Sequence, residues 1–311
     1  MRWVTYRSPA TGKERIGLVV EGTIHGLESP GGLIELLGDR GSLLSEAAVR
    51  ARAEPVELLA LSEADLSAPI PTPPSFRDFM SFEDHVVVSM GATGSEMDPG
   101  WYDNPTFYFS NPAAVKGPNA DIEVSPGSTE FDFELEVAAV IGLGGSNVPP
   151  SLASEHIAGY TVLCDWSARD LQFQEMRQSL GPAKGKDSST TMGPALVTPD
   201  ELEEFRSGNG YELNMKASVN GRLYSTGTWA SIYWSFDQMV SYASRGTRLV
   251  PGDVIGSGTV GTGCILELSR VHGVAKFPYL QPGDEVSLEV EHLGAMTSKV
   301  RAASSEVIPL S

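Results

Sequence analysis

The chain has 311 residues, of which 41% are hydrophobic and 20% charged, the proportions of a soluble globular protein with a substantial core. Its formal net charge of −18 excludes a surface built for nucleic acid or anionic membrane, either of which would repel it.

The N-terminal stretch MRWVTYRSPA has no apolar region of the kind a secretory signal needs, and no stretch approaches the ~20 apolar residues of a membrane span. A cytoplasmic protein is therefore expected. RIGLVVEGTIHGL predicts a hairpin turning near Glu21-Gly22. GLIELLG, SLLSEAAVRARAE and VELLALSEADL carry helical patterns. Residues 1–68 thus read as a small N-terminal α+β domain. SAPIPTPPS then packs four prolines into a short span, a stiff linker over 69–75. The remaining residues, 76–311, form the larger domain.

SFRDFMSFEDHVVVSMG predicts a helix with Ser75 as its N-cap. FYFSNPAAVKGPNADIEV, FDFELEVAAVIGLGG, GYTVLCDWSA, YELNMKASVNGRLYS, DVIGSGTVGTGCILEL and DEVSLEVEHLG read as mostly strand, bounded by Gly and Pro. Asn220-Gly221 is a strong hairpin signal. TWASIYWSFDQMVSYASRG ends in a helix with Gly246 as its C-cap. Cys164 and Cys264 show no CxxC spacing and read as reduced, buried thiols. The fold class is α+β, with a β-rich larger domain.

The chemistry-bearing residues stand in these segments. Asp132, Glu134 and Glu136 alternate in FDFELEVAAVIG, and the strand period places Glu134 and Glu136 on one face about 7 Å apart. A solvated strand face is the competing reading. Against it, the strand runs on as VAAVIG, apolar on both faces, and Phe131, Phe133 and Leu135 are apolar as well. Carboxylates in such a strand are costly unless a cation neutralises them, and oxygen-only ligands suit Mg²⁺, Ca²⁺ or Mn²⁺. Asp78 and His85, seven residues apart, would share a helical face. Asp165 either caps a helix or joins Arg169 and Gln172 on one stripe, a set suited to carbonyl or carboxylate groups. Lys184 and Lys186 lie in LGPAKGKDSSTTMGP, which does not match a phosphate loop; a lysine there suits a developing oxyanion. Of the five histidines, His85 alone lies near other candidate residues.

In this order, RDFMSFEDH, FDFELEVAAVIG, CDWSARDLQ, GPAKGKDS and GSGTVGTGCILEL resemble the fumarylacetoacetate hydrolase family over roughly residues 75–295. The resemblance implies a mixed β-sandwich or roll, usually dimeric, with a divalent cation, Mg²⁺ first and Ca²⁺ or Mn²⁺ as alternatives. It implies Asp78, Glu134, Glu136 and Asp165 as metal ligands, His85 as the base that activates water and Glu267 as its partner. Arg169, Gln172 and Lys186 are implied as substrate-binding or oxyanion-stabilising residues, and Tyr108 and Thr259 as substrate contacts. The pocket departs from the family pattern: no Arg or Lys occurs between Arg77 and Lys116, and Met176 stands where a tyrosine is expected. The implied activity is hydrolysis of a C–C bond in a 1,3-dicarbonyl or acylpyruvate-like small molecule. The alternatives are decarboxylation or tautomerisation of a 2-oxo acid, or dehydration or isomerisation of a sugar acid, on the same site. A metal-stabilised binding protein without turnover is a further class, against which the histidine–glutamate pair argues.

Overall fold

The computed structural model describes residues 1–92 and 96–307. Its main sheet has twelve strands. From one edge the order is Glu57–Ala60, Thr23–Leu27, Glu14–Val20, Arg2–Arg7, Thr190–Val197, Ile157–Asp165, Leu135–Ile141, Val254–Gly256, Phe76–Phe79 and Phe107–Phe109. Asp65–Ser67 and Val115–Lys116 pair off this path. A second sheet of five strands runs Arg222–Thr228, Asn214–Val219, Glu285–Val290, Gly294–Arg301 and Ile122–Glu123.

Strand alternation separates two cores. Val137, Ala139 and Ile141 share one with Met215, Ala217, Leu288 and Met296 of the second sheet. Ala138 and Val140, between them in sequence, turn to the other face and join Trp3, Leu18 and the helix Ser42–Ala53, through Leu44, Ala47 and Ala51. The Leu135–Ile141 strand is therefore buried on both sides, as its unbroken apolar run predicts. The molecule is a β-sandwich with a helical layer outside the larger sheet, as the α+β reading requires. Among the described residues no helix is long and apolar enough to cross a membrane.

The sheet also runs across the proline-rich segment, because Arg2–Arg7 pairs antiparallel with Thr190–Val197. That segment packs as it crosses: Ala68 and Ile70 are buried, and Thr5 Oγ1 donates to the Pro69 carbonyl at 2.9 Å.

Both expected hairpins form, with Glu21 and Gly22, and Asn220 and Gly221, at positive φ in their turns. The helices Ser42–Ala53 and Phe236–Ser244 also form, and Gly246 stands at φ 66 one residue past the C-cap Arg245.

Four local expectations are corrected. VELLALSEADL forms strands Glu57–Ala60 and Asp65–Ser67 around a single 3-10 turn, because Thr23–Leu27 and Arg2–Arg7 offer them partners. GLIELLG is one 3-10 turn. SFRDFMSFEDHVVVSMG divides into the strand Phe76–Phe79, drawn into parallel pairing with Val254–Gly256, and the helix Glu83–Ala92. Ser75 caps nothing; its hydroxyl donates to Asp253 at 2.7 Å. Finally, CILEL opens the helix Ile265–His272 instead of continuing a strand.

Candidate active site

Strand ends and two helix starts converge on a cavity of about 290 Å³ lined by Asp78, His85, Tyr108, Glu134, Glu136, Arg169, Gln172, Lys186 and Thr259. Asp78 reaches it from Phe76–Phe79, where it is 1% exposed. Its carboxylate lies flat on the neighbouring strand, since a Cβ on Gly256 would sit 2.3 Å from Asp78 Oδ1. Asp165 comes from the last position of Ile157–Asp165 and lies on no helix, so the expected stripe of Asp165, Arg169 and Gln172 is replaced by a strand end facing the helix Arg169–Met176. Likewise Asp78 and His85 meet across the cavity from a strand and a helix, not along one helical face.

Two groups tie the acids together. Lys186 Nζ contacts Glu134 and lies 2.7 Å from Asp165 Oδ2. The Tyr108 hydroxyl donates to Asp78 Oδ2 at 3.0 Å and to Asp165 Oδ2. Glu136 accepts from the Gly258 N–H at 3.0 Å. Arg169 is ion-paired on both sides: its Nη2 lies 2.8 Å from Asp132 Oδ2 and 2.7 Å from Glu134 Oε1, its Nε donates to Asp132 at 2.8 Å, and Nη1 donates to Gln172 at 3.2 Å. Lys184, in contrast, is exposed and paired with Asp187.

Beside the acids, His85 Nδ1 lies 2.6 Å from Glu267 Oε1, both residues buried. Glu267 Oε2 accepts from the Thr262 N–H at 2.9 Å, which fixes the carboxylate. The other ring nitrogen, Nε2, has Ser89 Oγ at 3.4 Å on the cavity side.

The electrostatics follow from burying four carboxylates together. Burial, then the charges of Asp78, Glu134 and Asp165, push the Glu136 carboxyl well above its usual range. Burial raises Asp165 to about 7 against the pull of Lys186. Glu134 goes the other way, because the charges of Arg169 and Lys186 outweigh its burial. For Lys186 burial favours the neutral amine, but Asp165 and Glu134 outweigh it and hold the ammonium charged.

This donor set fits a divalent cation. All four acids are buried oxygen donors, the kind hard cations take. Asp78 Oδ1 and Asp165 Oδ1 are buried without a hydrogen-bond partner, and a cation would relieve the repulsion that now raises Glu136 and Asp165. Among the described residues, however, the group whose donor atoms all lie within 4.8 Å of one another is His85, Cys264 and Glu267. No three of the four carboxylates stand that close, with Lys186 and Tyr108 between them.

Sequence reasoning missed the part played by Asp132. It belongs to the alternating acidic run, yet it turns away from the cavity to hold Arg169 and to accept from the N–H groups of Ile265 and Leu266 at 2.7 and 3.0 Å. Ser89, Phe173 and Leu266, which line the cavity, were also missed, as was Cys264, whose Sγ lies 3.6 Å from Glu267. Apolar lining carries no distinguishing signal; the i,i+4 spacing of Ser89 after His85, which puts the two on one helical face, could have found the hydroxyl.

Residues 75–301 match the family described as Fumarylacetoacetate (FAA) hydrolase C-terminal. The chain belongs to the fumarylacetoacetate hydrolase family. Within that family it is 28% identical over 312 residues to oxaloacetate tautomerase Fahd2a, mitochondrial, of Rattus norvegicus, covering 96% of this chain and 91% of the relative. Among solved structures it resembles the fumarylacetoacetate hydrolase of Exiguobacterium antarcticum, with a TM-score of 0.70 and 26% identity over 97% of this chain and 100% of that one. It also resembles the maleylpyruvate hydrolase of Sphingobium sp. SYK-6 in complex with manganese(II) and pyruvate, with a TM-score of 0.73 over 98% and 100% of the two chains. At 20% identity that last likeness is one of fold.

Proposed function

We propose that this chain is a divalent-cation-dependent tautomerase of small 2-oxo acids of the oxaloacetate type. The observation that carries the proposal is the buried His85–Glu267 pair, 2.6 Å apart, with His85 on the wall of a cavity lined by the buried carboxylates Asp78, Glu134 and Glu136. The rat relative's name, oxaloacetate tautomerase, supports the reaction class. A cavity of about 290 Å³ suits a short acid. Its two cationic side chains, Arg169 and Lys186, are both ion-paired within the protein, which disfavours a long diacid that needs a free arginine.

A divalent cation, Mg²⁺ first and Mn²⁺ or Ca²⁺ as alternatives, held by Asp78, Glu134, Glu136 and Asp165, would polarise the substrate carbonyl and acidify the adjacent C–H. Glu267 accepts from Nδ1–H of His85 and so keeps the lone pair of Nε2 facing the cavity. His85 Nε2 then takes the proton from the carbon beside the carbonyl and returns it to oxygen, or the reverse. Lys186, held charged, donates to the oxygen on which negative charge develops. Arg169 acts on Glu134 by fixing its carboxylate, and the Tyr108 hydroxyl does the same for Asp78 and Asp165.

The second reading keeps the residues and changes the acceptor: His85 takes a proton from water, and hydroxide cleaves an acylpyruvate. The His85–Glu267 pair serves either reaction, and the Exiguobacterium likeness favours this one. The deciding experiment follows enol absorbance of oxaloacetate with purified protein and Mg²⁺, beside a panel of acylpyruvates. Accelerated keto–enol exchange that vanishes in His85→Ala supports the tautomerase. Cleavage of an acylpyruvate without such acceleration would replace it with the hydrolase, and neither activity would remove both.

A homodimer is part of the proposal. Phe107–Phe109 leaves one end of the main sheet as an edge strand on which Phe109 is 66% exposed. Sedimentation of the purified chain tests it.

A further inference from the structure

The one group of described residues with three metal-donor atoms mutually within 4.8 Å is His85, Cys264 and Glu267; His85 lines the cavity, while Cys264 and Glu267 stand behind it, Cys264 bridged through its backbone to Glu134. We propose that this trio is a second metal site, selective for a soft divalent ion such as Zn²⁺, and that its occupation switches the enzyme off. A thiolate, an imidazole and a carboxylate form a donor set that zinc takes, whereas Mg²⁺ has little affinity for sulfur or nitrogen. All three donor atoms lie within 4.8 Å of one another, so only small shifts would bring them to zinc distances. Zinc bonds of about 2.3 Å to sulfur and about 2.1 Å to nitrogen or oxygen, arranged tetrahedrally, put the donor atoms roughly 3.3–3.6 Å apart. Cys264 Sγ and Glu267 Oε1 are already 3.6 Å apart. The His85 Nδ1–Glu267 Oε1 separation of 2.6 Å would open by less than about 1 Å. Three protein ligands leave the fourth position to water.

All three residues are buried, with Cys264 fully so. His85 is the member that lines the cavity, so the ion enters from that side. On binding, the thiol proton leaves to solvent and the imidazole proton moves from Nδ1 to Nε2, with no change of oxidation state. Nε2 then carries a hydrogen where it had a lone pair, and it can no longer accept a proton from substrate or water. The inhibitory half of the inference rests on the proposed role of His85; the binding half rests on geometry alone.

The two halves are separated by experiment. Cobalt(II), a spectroscopic substitute for zinc, is added to the full-length protein in excess Mg²⁺, and the near-ultraviolet thiolate-to-cobalt charge-transfer band is read. The chain has two cysteines, so Cys164→Ser and Cys264→Ser assign the band. A band kept in Cys164→Ser and lost in Cys264→Ser establishes the site; no band in the wild type, or the reverse assignment, overturns it. Zinc-edge X-ray absorption of the wild type decides the matter without a variant: one sulfur neighbour supports the site, and an all-oxygen shell sinks it. Given the site, zinc should reduce turnover at least 10-fold in the wild type and much less in Cys264→Ser. Equal inhibition of the two would refute the switch while leaving the tautomerase reading intact.

Discussion

His85 and Glu267 form a pair whose members are 182 residues apart in sequence and 2.6 Å apart in the fold. A base held in one tautomer by a buried carboxylate contributes about 10²- to 10⁴-fold to a proton transfer. His85→Ala is therefore expected to lower kcat by at least about 100-fold. Isothermal titration with Mg²⁺ should meanwhile give nearly the wild-type affinity, because His85 is not among the four proposed oxygen ligands; parallel loss of binding and turnover would contradict the assignment. At this scale the sequence is legible where a residue type has few uses. A lone histidine near acids, or a lysine among glycines, can be picked out. The choice of Lys186 over Lys184 cannot be read from spacing, because it is decided by contact with Glu134, 52 residues away, while Lys184 turns out to Asp187. Asp132 misleads for a related reason: strand alternation describes the direction of a side chain, not whether a guanidinium and two backbone N–H groups await it.

The helix Ile265–His272 carries Glu267 in its first turn and has no side-chain cap of its own. Asp132, from the short strand Phe131–Asp132, takes that place and simultaneously neutralises Arg169. Removing it leaves an arginine buried and two helix N–H groups unsatisfied. Breaking such a buried pair costs about 3 kcal/mol or more. Asp132→Ala should accordingly destabilise the fold by at least about 3 kcal/mol in urea denaturation, and lower turnover with it. Ser235→Ala, which removes the capping box on the helix Phe236–Ser244, should cost only about 1 kcal/mol and leave turnover unchanged. Comparable losses in the two variants would mean that Asp132 is an ordinary cap. Elements with internal signals were readable from sequence: Asn220-Gly221, the Ser42–Ala53 periodicity and the two-sided apolar run of Leu135–Ile141. Phe76–Phe79 and Glu57–Ala60 were not, since only four residues each carry the pattern and the neighbouring strand decides their state. Cys264–Glu267 was misread because its cap comes from a residue more than a hundred positions away.

Across the whole molecule, the first 68 residues supply more than a neighbouring unit. Arg2–Arg7 is the strand next to Thr190–Val197, which in turn pairs with the strand ending in Asp165. Trp3, Leu18 and the helix Ser42–Ala53 cover the face formed by Ala138, Val140, Leu163, Met192 and Leu196. Fully burying side chains of this kind is worth about 1.5–3 kcal/mol each. Residues 76–311 expressed alone should therefore show neither a cooperative thermal transition nor turnover in calorimetry and enzyme assay; a folded, active fragment would show that the cover is dispensable.

The clustered acids give the whole fold a pH dependence of unusual sign for carboxylates. Asp165 titrates at about 7 in the folded protein, far above the ordinary carboxylate value, chiefly through burial, and Glu136 is raised for the same first reason. A group whose folded pKa is raised adds stability in its protonated form, complete below the unfolded pKa and lost as pH rises through the folded one. With cations removed by EDTA, the melting temperature should therefore fall as pH rises from about 5, with Asp165's share of the loss steepest between about pH 5 and 6 and levelling off as pH passes about 7. Saturating Mg²⁺ should restore more stability at pH 8 than at pH 5, because a bound cation stabilises only in competition with those protons. Differential scanning fluorimetry over this range, with and without Mg²⁺, measures both slopes. A cation shift independent of pH would mean that the ion binds away from these carboxylates, and would remove the metal centre on which the proposed chemistry depends.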